Sequence, residues 1–136
     1  ELGHIMWEYV GMGRTAEGLK EGLKKLKEVR KEFEKELFIP GDKEGMNVEL
    51  DKAIRLYDFI TMGELVAYDA LNRNESCGGH FRGEYQTEEG EAKRDDENFF
   101  YVACWEYQGD DEKAPVLYKE PLVYEAIKVQ TRNYKS

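Results

Sequence analysis

Cys77-Gly78-Gly79-His80 places a thiol and an imidazole three residues apart, donor types that suit zinc. Only Cys104 and His4 remain to complete a tetrahedral set, and neither lies at a spacing typical of zinc sites, so no metal is expected. Read as nucleophile and base, the same pair lacks a third group to orient it. Neighbouring carboxylates such as Asp95-Asp96 are ordinary in an acidic chain and give no ground for glycosidase-type chemistry. Gly11-Met12-Gly13 follows a helical stretch instead of a strand, which removes the context of a dinucleotide fingerprint. On these patterns no residue is assigned a catalytic, cofactor-binding or metal-binding role.

A denser constellation is Arg73-Asn74-Glu75-Ser76-Cys77-Gly78-Gly79-His80-Phe81-Arg82, followed by Lys93-Arg94-Asp95-Asp96. Opposite charges close in sequence around small residues fold a loop on itself through charge-assisted hydrogen bonds. Glycines let such a loop lie close against another backbone. Arg73, Glu75, Ser76, His80, Arg82, Arg94 and Asp95 are the candidates for this ordering. They tie the loop either to its own helices or to a neighbouring domain.

The elements that must carry this loop are read from periodicity. Ile5, Met6, Tyr9 and Val10 share one helical face, with Trp7 alongside, and Gly11 and Gly13 end that helix. Thr15 is placed to cap a second helix with Glu17 in its first turn. Its seam is Ala16, Leu19, Leu23, Leu26, Phe33 and Leu37, with Arg30 at one seam position, and Pro40-Gly41 stops it. The Lys/Glu residues between them form a solvated face. Asn47 is placed to cap a third helix reaching about Leu71. Leu50, Ile54, Tyr57 and Leu71 form one face, and Leu56, Phe59, Met62, Val66 and Ala70 lie elsewhere around it. A helix apolar around much of its circumference has more than one partner. The stretch 73–98 reads as an irregular polar loop, long enough to mark a functional or docking segment. From Phe99 to Tyr107 a strand is expected, then a turn at Gln108-Gly109-Asp110-Asp111 and a partner strand from Val116 to Tyr118. Leu122 to Val129 is a further extended piece.

The fold class is therefore mainly α (α+β), in one domain over 1–136. A three-helix, spectrin-repeat-like bundle spans 1–72, the polar loop 73–98, and a small C-terminal antiparallel β-hairpin with its tail 99–136. The chain holds 136 residues, enough for a real core, with 40% hydrophobic and 12% aromatic residues. Twenty basic against 29 acidic side chains give a net charge of −9. That balance excludes the basic footprint of a nucleic-acid binder and opposes anionic membrane surfaces. No apolar run approaches the roughly 20 residues that span a bilayer. Two cysteines are too few for a disulfide framework, which fits a reducing compartment.

The charged motif resembles a segment near the end of the flavoprotein subunit of succinate dehydrogenase and fumarate reductase. The matching positions are Arg73, Glu75, Ser76, Gly78, His80 and Arg82, then Arg94, Asp95 and Asp96, with Phe99 opening the strand. Met6-Trp7-Glu8-Tyr9-Val10-Gly11 resembles the opening of that family's helical C-terminal domain, and Thr131-Arg132-Asn133-Tyr134 its ending. The resemblance covers nearly all 136 residues in order. Cys77 stands where the family has Arg, and Gly79 where it has Ala, so a guanidinium contact is missing at that point.

The resemblance implies a scaffold domain without catalytic residues. The parent would interconvert succinate and fumarate by hydride exchange with FAD, the FAD and substrate groups belonging to preceding domains. The implied partners are the FAD-binding domain of the same chain and the iron–sulfur subunit, with no nucleic acid and no membrane insertion. The implied location is cytoplasmic, the parent peripheral on the cytoplasmic face of the membrane. L-aspartate oxidase is a second reading through the shared helical domain, and a stand-alone acidic three-helix interaction module a third. The chain opens at Glu1, so it is expected to be a piece of something longer, with no cofactor of its own. Weak self-association is expected through apolar surface at Trp7, Phe59, Met62 and Val66.

Overall fold

The computed structural model describes residues 1–109 and 113–131. In chain order it holds α1 (Leu2–Val10), β1 (Gly13–Arg14), α2 (Ala16–Glu36), α3 (Val48–Asn72), β2 (Phe81–Arg82), α4 (Asp96–Phe99), β3 (Tyr101–Glu106) and β4 (Val116–Pro121). β1 and β2 pair in parallel, Gly13 opposite Phe81 and Arg14 opposite Arg82. β3 and β4 pair antiparallel, from Tyr101 opposite Pro121 to Glu106 opposite Val116. The class is α+β, with two small sheets among the described residues where only the hairpin was expected.

Local chemistry sets the helix starts. The Thr15 hydroxyl accepts from the Gly18 N–H, and the Glu84 carboxylate accepts from the Ala16 N–H. Asn47 Oδ1 accepts from the N–H groups of Glu49 and Leu50 at 3.0 and 3.1 Å, with Glu49 and Asp51 in the favourable first turn. Its Nδ2 also donates to the Pro40 carbonyl, closing the α2–α3 connection. Asn47→Ala should therefore lower stability by about 1 kcal/mol, read as a lower denaturant midpoint at unchanged slope.

α1 lies across α2 and α3, which also pack on each other. Ile5, Val10, Leu19, Leu26, Ala67 and Ala70 form the buried core, rimmed by Leu2, Met6, Tyr9, Leu23, Val29 and Leu71. The approach is close because Gly22 faces Tyr9: a methyl group there would sit 2.8 Å from the Tyr9 Cβ. In the α2 seam Leu19, Leu26 and Arg30 are buried, while Leu23 and Phe33 are half-buried.

Several expectations are corrected. α2 ends at Glu36, short of Pro40, and Leu37 lies outside it, exposed. Leu37 caps the helix, its N–H still bonded to the Phe33 carbonyl while its own backbone leaves the helical region, and neither Leu37 nor Phe38 is buried enough to hold a further turn. The inner face of α3 is Ile60, Gly63, Ala67 and Ala70, not Leu50, Ile54 and Tyr57, which are exposed. At 1.5 Å per residue, the 9 residues of α1 reach only about 13 Å along the roughly 37 Å of the 25-residue α3. The first turns of α3 therefore lie against α2 alone. Phe59, Met62 and Val66 face outward, and Trp7 is 86% exposed.

The stretch 73–98 is not wholly irregular, since it carries β2 and the start of α4. Phe99 ends α4, and the strand opens two residues later at Tyr101. β4 runs longer than expected, to Pro121, and no strand forms over 122–129. The expected turn at Asp110-Asp111 and the ending Arg132-Asn133-Tyr134 lie outside the described residues.

Candidate functional site

The charged segment folds into a polar knot beneath the C-terminus of α3. Arg82 is its centre and is 2% exposed. Its Nη1 donates to the carbonyls of Ala70 (3.0 Å), Leu71 (3.3 Å) and Arg73 (3.5 Å), and its Nε to Glu84 Oε2 (3.2 Å). α3 has no basic residue in its own last turn, so Arg82 supplies the cation that its C-terminal dipole favours. The Tyr85 ring stacks on the guanidinium, 5.4 Å from its centroid.

Ser76 is fully buried and locks this strand. Its hydroxyl accepts from the Arg82 N–H (2.8 Å) and donates to the Arg82 carbonyl (3.2 Å). Glu75 is buried between two partners. Oε1 takes a 2.7 Å bond from Arg73 Nη1, and Oε2 takes the Asp95 N–H at 2.9 Å. Arg73 continues to the carbonyls of Phe99 and Tyr101, both at 3.1 Å, and so fastens the hairpin to α3. Cys77 and His80 close a tight turn through reciprocal backbone bonds, with Gly78 at φ +57 where a side chain would be strained.

His80 joins the knot to α1. Arg14 Nη1 stands 2.7 Å from His80 Nδ1, and His80 Nε2 stands 2.9 Å from the Arg73 carbonyl. Arg14 Nε also caps α1 through the carbonyls of Val10 and Gly11. Burial, then the charges of Arg14, Arg82 and Arg73, hold the imidazole below its ordinary pKa, against the opposing bond to the Arg73 carbonyl. Burial also lowers the Arg14 pKa, with Asp69 opposing and Arg82 adding to the shift. At Glu84 burial pushes upward, but the bonds from the Ala16 N–H and Arg82 outweigh it and the carboxyl lies below its usual range.

Arg94 and Asp95 sit at the edge of this knot. Arg94 grips Asp96 through two 2.6 Å bonds and reaches the Gln130 carbonyl, and the Asp96 contact raises its pKa. Asp95 caps α4 through the Asn98 N–H. The structure thus brings Arg73, Glu75, Ser76, His80 and Arg82 together and leaves Arg94 beside them, linked through the backbone of Asp95.

The sequence reading passed over Arg14, Glu84, Asp69 and Glu64. Asp69 accepts the Trp105 indole N–H at 2.8 Å, and Tyr68 meets the same ring edge-on, seating β3 on α3. Glu64 holds Arg30 through bonds of 3.0 and 2.8 Å. Glu84 carried one local signal, its place two residues after Arg82, where a turn closed by the Tyr85 N–H on the Arg82 carbonyl brings the two side chains together.

Chemically the knot is a clamp, because these side chains are spent on this chain's own carbonyls, amides and counter-ions. Cys77 and Cys104 are free and exposed. Among the described residues no three His, Cys, Asp or Glu side chains are grouped to hold a metal, and no helix is long and apolar enough to cross a membrane.

Residues 1–134 match the family described as fumarate reductase flavoprotein C-term. The fumarate reductase flavoprotein subunit of Serratia sp. is 35% identical over 99 residues, covering 73% of this chain and 16% of that protein. An uncharacterized FAD-dependent oxidoreductase of Methanocaldococcus jannaschii is 31% identical over 85 residues, 62% of this chain and 15% of its own length. The chloroplastic L-aspartate oxidase of Oryza sativa is 39% identical over 86 residues, 62% of this chain and 13% of its own. Among solved structures, the quinol fumarate reductase FrdA of E. coli superposes with a TM-score of 0.77 at 26% identity, over 95% of this chain and 21% of that one. The chain spans about a sixth of the length of the curated relatives it matches.

Proposed function

Because this chain belongs to the family of fumarate reductase flavoprotein C-terminal domains, we propose that it is the structural C-terminal domain of an FAD-dependent succinate dehydrogenase or fumarate reductase flavoprotein subunit. It packs on the FAD-binding domain of the same subunit and supports the contact with an iron–sulfur subunit, the parent being peripheral on the cytoplasmic face of a membrane. We read α1, α2 and α3 as a three-helix bundle of the spectrin-repeat kind, the rigid part of one domain. The 73–98 segment and the hairpin are fastened to the end of that bundle. The outward apolar side chains of Trp7, Phe59, Met62 and Val66 support a covered face in the assembled protein.

The observation that carries the structural role is the spent state of the charged motif. Arg73, Glu75, Ser76, His80 and Arg82 all end on partners within the chain. The Gly11–Gly13 turn also does not fit the dinucleotide part of the family's cofactor. The glycines Gly11 and Gly13 lead into the N-terminus of α2, where a dinucleotide phosphate would need free N–H groups. There the Glu84 carboxylate and the Thr15 hydroxyl already take the N–H groups of Ala16 and Gly18, and Glu84 would repel a phosphate.

The purified 136-residue chain should therefore be colourless and turn over neither succinate nor fumarate. A stoichiometric visible flavin band surviving gel filtration would overturn the proposal, because it would place a cofactor site on these residues. L-aspartate oxidase stands second. Its matches cover 62% of the chain or less, against 73% for the fumarate reductase subunits and 95% for the FrdA superposition.

A further inference from the structure

His80 stands where three pieces of the chain meet: β1 through Arg14, the end of α3 through the Arg73 carbonyl, and the 76–84 segment that carries it. A guanidinium has donors only, so His80 Nδ1 must accept from Arg14. A carbonyl only accepts, so His80 Nε2 must carry the hydrogen. Both contacts are met by one species, the neutral imidazole protonated at Nε2. A second proton has nowhere to go but Nδ1, into the face of Arg14.

The charged and titratable groups around the ring give that proton no compensation. β1 presents Arg14. α3 and its cap present Asp69, which faces Arg14 and is bonded to Trp105, and Arg73. The 75–84 segment presents Glu75, Cys77, Arg82 and Glu84, and the two carboxylates are committed to Arg73 and Arg82. An imidazolium here would stand among three guanidiniums, while Asp69 faces Arg14 and holds the Trp105 indole instead of the ring.

We propose that His80 is an acid-sensitive latch: uptake of a solvent proton at Nδ1 expels Arg14 and releases the β1–β2 pairing that holds the 76–84 segment to α1. The bonds at stake are Arg14 to His80 and the two ladder bonds, Phe81 N–H to the Met12 carbonyl (3.3 Å) and Gly83 N–H to the Arg14 carbonyl (2.7 Å). The sign follows from linkage. The folded imidazole has a lowered pKa, so the unfolded chain binds the proton first. The latch is fully set above the ordinary histidine value of about 6.5 and is lost as pH falls through the lower folded midpoint. Over that window the folding equilibrium weakens by up to about tenfold per pH unit, the limit for one proton.

The test is an NMR titration of the 136-residue chain carrying His4→Asn, which leaves one imidazole. The expected result is an Nε2–H tautomer at neutral pH and a midpoint below about 6.5. The amide signals of Phe81 and Gly83 should move with that same midpoint. His80→Gln, whose amide still donates to the Arg73 carbonyl but takes up no proton, should abolish the linked movement. Should His80→Gln not fold, Arg14→Met in the His4→Asn chain serves instead, and removing one cation should raise the midpoint. An Nδ1–H tautomer, a midpoint at or above about 6.5, or ladder amides that stay flat through the midpoint would each overturn the latch.

Discussion

Replacing Arg82 by methionine should destabilise the folded chain by about 2–4 kcal/mol, because several buried carbonyls lose one charged donor at once. Methionine fills much of the same volume, so the loss is not mainly a cavity. It comes from what the guanidinium leaves behind. The carbonyls of Ala70, Leu71 and Arg73 at the end of α3 lose their donor, and Glu84 loses its cation. Arg82→Lys keeps the charge but not the fork, and one ammonium cannot serve both the helix end and Glu84. It should fall between the two. Urea unfolding of the three proteins measures this, and an Arg82→Met midpoint equal to that of the parent would mean the clamp contributes nothing net.

Leu26→Asp should cost at least about 4 kcal/mol and unfold much of the population at room temperature. Leu26 is fully buried, and its Cδ2 would lie 3.8 Å from a Cβ at Gly63, so it fills the contact between α2 and α3. A carboxylate at that depth needs a cation. The nearest on the same face, Arg30, is already held by both oxygens of Glu64 and by Thr61. Leu26→Ala separates the two contributions, since it loses packing without adding charge and should cost about 3 kcal/mol. Circular-dichroism melts decide the matter, and an unchanged transition for Leu26→Asp would show that the seam faces solvent.

The sequence made the helices legible because their signals are local. Thr15 and Asn47 announce their caps, and Leu19, Leu26 and Arg30 keep helical spacing. The inner face of α3 was hidden for a physical reason. Close helix packing there uses Gly63, Ala67 and Ala70, whose small side chains score weakly as hydrophobes. The large apolar residues that drew attention are the exposed ones, Leu50, Ile54 and Phe59. In the charged segment the residue types identified the cluster, but the partners were out of reach. Arg82 ends on backbone carbonyls, which carry no sequence signal, and His80 ends on Arg14, 66 residues away. The parallel β1–β2 pair is two residues per strand, too short to leave any period.

The bond from the Ala16 N–H to Glu84 closes a loop of 68 residues. Bringing such distant ends together carries an entropic cost of roughly 4 kcal/mol, borne before the contacts it permits are made. The two ties that cross this loop, Ala16 to Glu84 and Arg14 to His80, are therefore expected to form late in folding, once α1 and α3 have docked, whereas the bonds within 70–84 are local and escape that cost. Those two bonds are then expected to be largely absent from the transition state and to act on the escape from the native state. Their weakening speeds unfolding while leaving the rate of folding almost untouched. Arg14–His80 and Ala16–Glu84 are in that sense a lock on the lifetime of the folded chain, set after the helices have found one another.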